Sequence, residues 1–233
     1  MKQFSNTYIF IFAAAMVAIV ALILSSAALL LQPLKEKNAE IEKKRNILAS
    51  VGVETTEDNA ENLYDKYITE SFAINNDAER VENVDPFNVD VRKEQKKPVE
   101  EQVLPVFVAS MEDGSNSYIM PLEGKGLWGP IYGYISLNED LRTINGVTFD
   151  HKSETPGLGA EINESWFEEQ FEDKKLFENG DFVSITVQKG GAEEDDPHAV
   201  DAISGGTITS KGLESMIYDC LVKYVEFLGK NNE

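Results

Sequence analysis

Asp201-Ala202-Ile203-Ser204-Gly205-Gly206-Thr207-Ile208-Thr209-Ser210 places four hydroxyls and two adjacent glycines directly ahead of an amphipathic run. In that run Leu213, Met216, Ile217, Cys220, Leu221, Tyr224, Val225 and Leu228 follow the three-and-four spacing of a helix with one buried face, and Gly229 stands where such a helix stops. The first N–H groups of a helix lack intrahelical acceptors and sit at the positive end of its dipole, so a phosphate is stabilised there. Gly205 and Gly206 permit close approach of backbone to such a group. Ser, Thr and Gly clusters also serve as ordinary N-caps, and composition alone favours that simpler role.

Upstream of this junction, 103–109, 118–122, 131–137, 144–150 and 182–188 are short stretches rich in β-branched and aromatic residues. Gly, Asn and Asp separate them, which predicts strands of a mostly antiparallel sheet. Residues 51–101 are rich in Asp, Glu and Asn around scattered anchors such as Leu63, Tyr64, Tyr67, Ile68 and Phe72, and read as mixed helix and loop. Residues 35–49 suit a charged helix. Further towards the N-terminus, Tyr8–Leu31 run for 24 residues without a charge. As a helix this segment spans about 36 Å, enough to cross a bilayer, and it exceeds the apolar core of a signal peptide. An uncleaved anchor is therefore expected, with Lys2 as a thin preceding charge. The predicted class is α+β: a single N-terminal transmembrane helix, then a mixed, mostly antiparallel-sheet domain with flanking helices. The expected divisions are an anchor over 1–34, a juxtamembrane helix and variable polar region over 35–100, and the main domain over 101–233.

The 233 residues carry a formal charge of −20, from 21 basic and 41 acidic residues. Nucleic-acid binding is disfavoured by that balance. The single cysteine, Cys220, excludes an internal disulfide and a cysteine-ligated cluster held by this chain alone, and its place on the apolar helix face reads as core. His151 and His198 show no metal-ligand spacing, and the acidic run 193–196 reads as a solvated loop rather than a calcium site. No metal is expected.

Asp201-x-x-Ser204-Gly205-Gly206-Thr207 closely resembles the flavinylation motif of FMN-binding domains, in which the final threonine hydroxyl is esterified to the phosphate of FMN; here that residue is Thr207. The departure is Gly206, where the family usually has alanine, and the lost methyl is expected to leave room for the phosphate. Glu154-Thr155-Pro156-Gly157-Leu158-Gly159 resembles a second hallmark of the same domain, although Pro156 and Gly157 also suit a plain turn. Gly124-Lys125-Gly126-Leu127-Trp128, followed by Tyr132-Gly133-Tyr134, narrows the resemblance to the NqrC family, the C subunits of the sodium-translocating NADH:quinone reductase. Asn46-Ile47-Leu48 and Lys189-Gly190-Gly191-Ala192 agree with it. The related G component of Rnf complexes shares the first two motifs and is the alternative; a flavin-free tethered binding module is the third reading.

The resemblance implies covalent FMN on Thr207, with Ser204, Gly205, Gly206, Thr209, Ser210, Glu154, Thr155, Gly157, Leu158, Gly159 and Trp128 around the cofactor. For Trp128 a core or subunit-interface role is as good a reading as contact with the ring. Lys125 and Lys211 are candidates to neutralise phosphate charge. The resemblance further implies one of six subunits in a bacterial inner-membrane complex, a flavin transferase for maturation, single-pass topology with the FMN domain on the periplasmic side, and electron relay from NADH towards quinone coupled to sodium export. No NADH or quinone site is expected on this chain, and no catalytic acid or base, since the isoalloxazine supplies the redox chemistry. Orientation carries a conflict: Lys35, Lys37, Lys43, Lys44 and Arg45 follow the anchor and by count favour a cytoplasmic side, although Glu36, Glu40 and Glu42 lie among them.

Overall fold

The computed structural model describes residues 5–193 and 195–229; Lys2, and Glu194 of the acidic run, lie outside them. Two compact units divide at Lys43/Lys44. The first consists of helix α1 (Asn6–Ala49) up to the division, and it contains a stretch long and apolar enough to cross a membrane, with none of that stretch buried by protein. The helix runs uninterrupted through Pro33 into the charged residues, so the apolar stretch and the charged stretch that follows it form one element. Proline removes one backbone donor there, and the helix absorbs the loss without ending.

The second unit is built on a five-stranded antiparallel meander in the order β1 (Ile68–Ile74), β2 (Leu104–Ser110), β3 (Asn116–Lys125), β4 (Pro130–Leu137) and β5 (Ile144–His151). The four central expectations, 103–109, 118–122, 131–137 and 144–150, fall on β2 to β5. Strand β1 lies inside the stretch read as mixed helix and loop. It is an edge strand whose Thr69, Glu70 and Ser71 face solvent, so its apolar signal is confined to one side and one end. Helix α2 (Ala60–Tyr67) runs straight into it.

Both faces of the sheet are covered, which explains why β2 and β4 read as nearly continuous apolar runs instead of alternating ones. On one face Ile47 from the end of α1 and Val51 pack with Phe107, Ala109, Ile119 and Tyr134, joined by Tyr64 of α2. The Ser136 hydroxyl donates to the Ser50 carbonyl and pins that layer to the sheet. On the other face Leu104, Val106, Met120, Leu122, Ile131 and Ile135 meet the helix α5 (Thr207–Leu221) through Leu213, Met216 and Ile217.

The stretch 182–188 does not form one strand. Ser184 takes a left-handed backbone (φ 62°), and the N–H groups of Val183 and Ser184 both donate to the Leu176 carbonyl. Two short strands result: Asp181–Phe182, in a hairpin with Phe177–Glu178, and Thr186–Gln188, which pairs in parallel with Ala199–Asp201. That parallel pair delivers the chain to the start of α5. The predicted C-terminal helix begins at Thr207, earlier than its apolar pattern shows, and passes through a 3-10 turn at Val222–Tyr224 before its last turn at Val225–Gly229.

Candidate functional site

Thr207 is the first residue of α5 and is exposed. Its N-cap is Gly206, which has no side chain to bond the first-turn N–H groups, so this helix start is open towards an anion. The loop before it is tightly specified. Gly206 N–H donates to the Ile203 carbonyl (3.0 Å), and Gly205 has φ +77°, a backbone that a side chain resists. A Cβ on Gly205 would lie 2.6 Å from Leu158 Cδ2, so Leu158 sits over this turn. A Cβ on Gly206 would lie 2.9 Å from Ile203 Cγ2 and 3.3 Å from the Leu158 carbonyl carbon. The volume that the family's alanine methyl would fill is thus occupied by Ile203 and the Leu158 backbone; the missing methyl faces the protein and opens no space for a phosphate.

Beneath the loop lies a buried carboxylate. Glu154, 5% exposed, accepts the Trp128 N–H at 2.8 Å and the Gly129 N–H at 3.3 Å through Oε1, and the Thr209 hydroxyl at 2.7 Å through Oε2. One side chain therefore joins the Gly-Lys-Gly-Leu-Trp turn, the Glu-Thr-Pro-Gly-Leu-Gly turn and the first turn of α5. Gly159 makes that junction possible: a Cβ there would meet Thr209 Oγ1 at 2.4 Å and Glu154 Oε2 at 2.5 Å. Ser210, also buried, accepts the Ile203 N–H at 3.1 Å and fixes the other limb of the loop. Charge-assisted bonds to a dehydrated carboxylate are stronger than neutral ones, so this arrangement holds its geometry rigidly.

The upper surface of the same junction is apolar and open. Trp128 is 67% exposed and Leu158 41% exposed. Their backbones are held from below, since Trp128 N–H is bonded to Glu154 and Leu158 N–H to the Thr155 carbonyl. Ser204, Thr155 and Gly157 are also exposed, and Gly157 N–H is bonded to Glu161 Oε1. Of the two lysines, Lys125 is exposed, whereas Lys211 is engaged by Glu214 at 2.8 and 2.9 Å. His151 Nδ1 accepts the Glu154 N–H at 3.3 Å, and His198 Nδ1 lies 2.6 Å from the Lys175 carbonyl oxygen.

The chain is 32% identical over 212 residues to the C subunit of the Na(+)-translocating NADH-quinone reductase of Haemophilus ducreyi, covering 84% of this chain and 82% of the relative. It belongs to the NqrC family. The corresponding protein of Neisseria meningitidis is 31% identical, with 91% of this chain and 87% of that protein covered. In structure, the crystallised C subunit of the Na(+)-translocating NADH-quinone reductase from Parabacteroides distasonis superposes with a TM-score of 0.80 at 44% identity, covering 87% of this chain and 98% of that one. The NqrC structure from Shewanella oneidensis gives 0.69 at 26% identity, with 82% and 98% covered.

The FMN-binding domain family matches residues 126–222. In this NqrC-family chain those limits take in Trp128, Glu154–Gly159 and Ser204–Ser210, all gathered at one end of α5. The motifs mark these residues as candidates but do not show their division of labour. Glu154, Thr209 and Ser210 are buried and bonded to the protein, while Thr207, Ser204, Thr155, Leu158 and Trp128 are at the surface. Ile203, which fills the space under Gly206, escapes sequence reasoning because an isoleucine before a turn carries no functional signal.

Proposed function

We infer that this chain is a flavin-carrying electron-transfer subunit, holding FMN through a phosphoester to Thr207 and relaying electrons from NADH towards quinone within a membrane-bound, sodium-exporting reductase. The observation that carries this reading is an exposed threonine hydroxyl at the uncapped start of a 15-residue helix, beside two exposed apolar side chains whose backbones are locked in place. The hydroxyl provides the ester oxygen, the first-turn N–H groups and helix dipole stabilise the phosphate, and Trp128 and Leu158 offer apolar area to the isoalloxazine. Ser204, Gly205 and Thr155, exposed at the same junction, would be available to the phosphate and ring. Glu154, Thr209, Ser210, Gly159 and Gly206 act from beneath, setting the distance between the tether and the ring contacts.

FMN, when bound, supplies the redox chemistry, and the protein needs no acid or base of its own. On this reading the chain works as one of six subunits, anchored by α1 in the bacterial inner membrane with the FMN domain periplasmic, and matured by a flavin transferase. Residues 1–34 serve as the anchor, 35–100 as the juxtamembrane and variable region and 101–233 as the FMN domain. NADH and quinone bind to other subunits, and the sodium path lies there too, because the apolar stretch Tyr8–Leu31 has no charged residue to line one.

The test is denaturing electrophoresis of the chain co-expressed with a flavin transferase, imaged for flavin fluorescence. Wild type is expected to fluoresce and Thr207→Ala to be dark; a fluorescent Thr207→Ala band would place the attachment elsewhere. Reduction of quinone by NADH in the assembled complex, lost in the same variant, tests the electron-relay role.

A further inference from the structure

A broad, open groove runs beside α5, and its lining inverts the charge of the chain. Arg92, Lys96, Lys125, Lys211 and Lys223 line it against two acids, Glu123 and Asp219; with Glu214, which engages Lys211, five bases face three acids, a surplus of two positive charges. The chain as a whole carries −20, with 41 acidic residues for 21 basic ones. Arg92 pairs with Glu123 and Lys211 with Glu214, yet among the described residues Lys96, Lys125 and Lys223 have no ion-pair partner. These three come from different elements, the segment after the short helix Val91–Glu94, the end of β3 and the turn after α5, and they converge on one concavity. Ile208, adjacent to Thr207, lines the same groove.

We propose that this groove is the docking surface for a protruding acidic segment of a partner protein, which it brings beside the flavin attachment point. The consequence for electron transfer rests on the reading above; the docking itself does not. The spread of charge selects the occupant. Lys125 passes beside Gly212, where a Cβ would lie 2.3 Å from the Lys125 carbonyl oxygen, and from Gly212 to Lys223 the chain rises about 16 Å at 1.5 Å per residue, too long for one phosphate or lipid headgroup and suited to several carboxylates in a row. Concavity fits a protruding segment, whereas a bilayer offers a plane. A second copy of the chain is disfavoured by self-repulsion at −20. Electrostatic docking of this kind governs association rate and its salt dependence.

The experiment uses the intact complex. Zero-length carbodiimide coupling, which joins a lysine amine to a carboxylate with loss of water, is mapped by mass spectrometry; Lys96, Lys125 or Lys223 is expected to couple to a cluster of Asp or Glu in a partner protein of the complex, and high salt should abolish the product. In parallel, NADH-driven turnover is followed against ionic strength. Wild type is expected to slow as salt rises, Lys96→Gln/Lys223→Gln to show a flat response, and Lys96→Glu/Lys223→Glu to be slowest at low salt, by about tenfold, and to recover as salt rises. In-gel flavin fluorescence should be equal in all three. Absence of partner coupling at the groove, or identical salt responses, overturns the proposal; so does coupling that is replaced by protection in vesicles of anionic phospholipid, which would make a lipid surface the occupant. A dark wild-type band with intact coupling would sink the flavin reading and leave the docking surface standing.

Discussion

Replacing Glu154 with alanine tests whether the three sequence motifs are held together by one buried carboxylate. The change removes the acceptor for Trp128 N–H (2.8 Å) and for the Thr209 hydroxyl (2.7 Å), besides the longer contact to Gly129 N–H (3.3 Å). A hydrogen bond to a charged acceptor contributes about 1.5–3 kcal/mol, so the two short ones together stand at about 3–6 kcal/mol. Alanine also relieves the cost of burying the charge, which offsets part of the loss and leaves a net destabilisation of about 3 kcal/mol. Urea unfolding of the full-length chain in detergent, followed by tryptophan fluorescence, reads this as a midpoint lowered by about 1–1.5 M, taking a slope of about 2–3 kcal/mol per molar. Flavin incorporation should fall in step, because the tether and Trp128 lose their common support. Glu154→Gln keeps an oxygen for Trp128 N–H and an amide that can donate to Thr209 Oγ1, and is expected to retain most of the stability and flavin. A midpoint unchanged in the alanine variant, or glutamine as damaging as alanine, would show that Glu154 does not hold the three motifs together.

The two glycines of the Glu-Thr-Pro-Gly-Leu-Gly motif should fail for different reasons. Gly159→Ala places a methyl 2.4 Å from Thr209 Oγ1 and should cost about 2–3 kcal/mol, whereas Gly157→Ala meets nothing within 4 Å and suffers only its φ of +74°, about 1 kcal/mol, both read by urea midpoints. Glu168, whose Oε1 accepts the Phe149 N–H, has its pKa pushed up by burial to about 7. Its folded form therefore holds the proton more tightly than the unfolded chain does, and stability falls as pH rises from about 4.5 to 7. The shift corresponds to about 3 kcal/mol at most, discounted to about 1–2 because the group is only partly buried; Glu168→Gln should remove that slope and raise the melting temperature at pH 8. Burial pushes the Cys220 thiol up to about 11, so a disulfide reagent at pH 8 should label the folded chain only at its unfolding rate and the urea-unfolded chain rapidly.

Periodicity made much of the fold legible, and its failures have identifiable physical causes. Strands β2 to β5 are apolar enough to be read directly, because the sheet is covered on both sides. Strand β1 is an edge with polar residues at its exposed positions, and it resembles the acidic loop sequence around it. The expected strand over 182–188 is interrupted by the left-handed Ser184, which nothing in a run of β-branched residues announces. Helix α5 extends back to Thr207 because Thr209 and Ser210 are buried polar residues satisfied by Glu154 and Ile203, so the apolar pattern starts late. The motifs mark the candidate site residues, but the position of Glu154 depends on contacts 26 and 55 residues away along the chain, which spacing cannot show. The same holds for the basic groove, whose lysines lie on separate elements.

Esterification of FMN to Thr207 can be read from peptide mass spectrometry of the chain taken from its assembled complex. The fragment containing Ser204–Ser210 is expected to carry the mass of FMN less one water, with fragmentation placing it on Thr207. An unmodified Thr207 peptide from an active complex, or the same mass on Ser204 or Thr209, would contradict it.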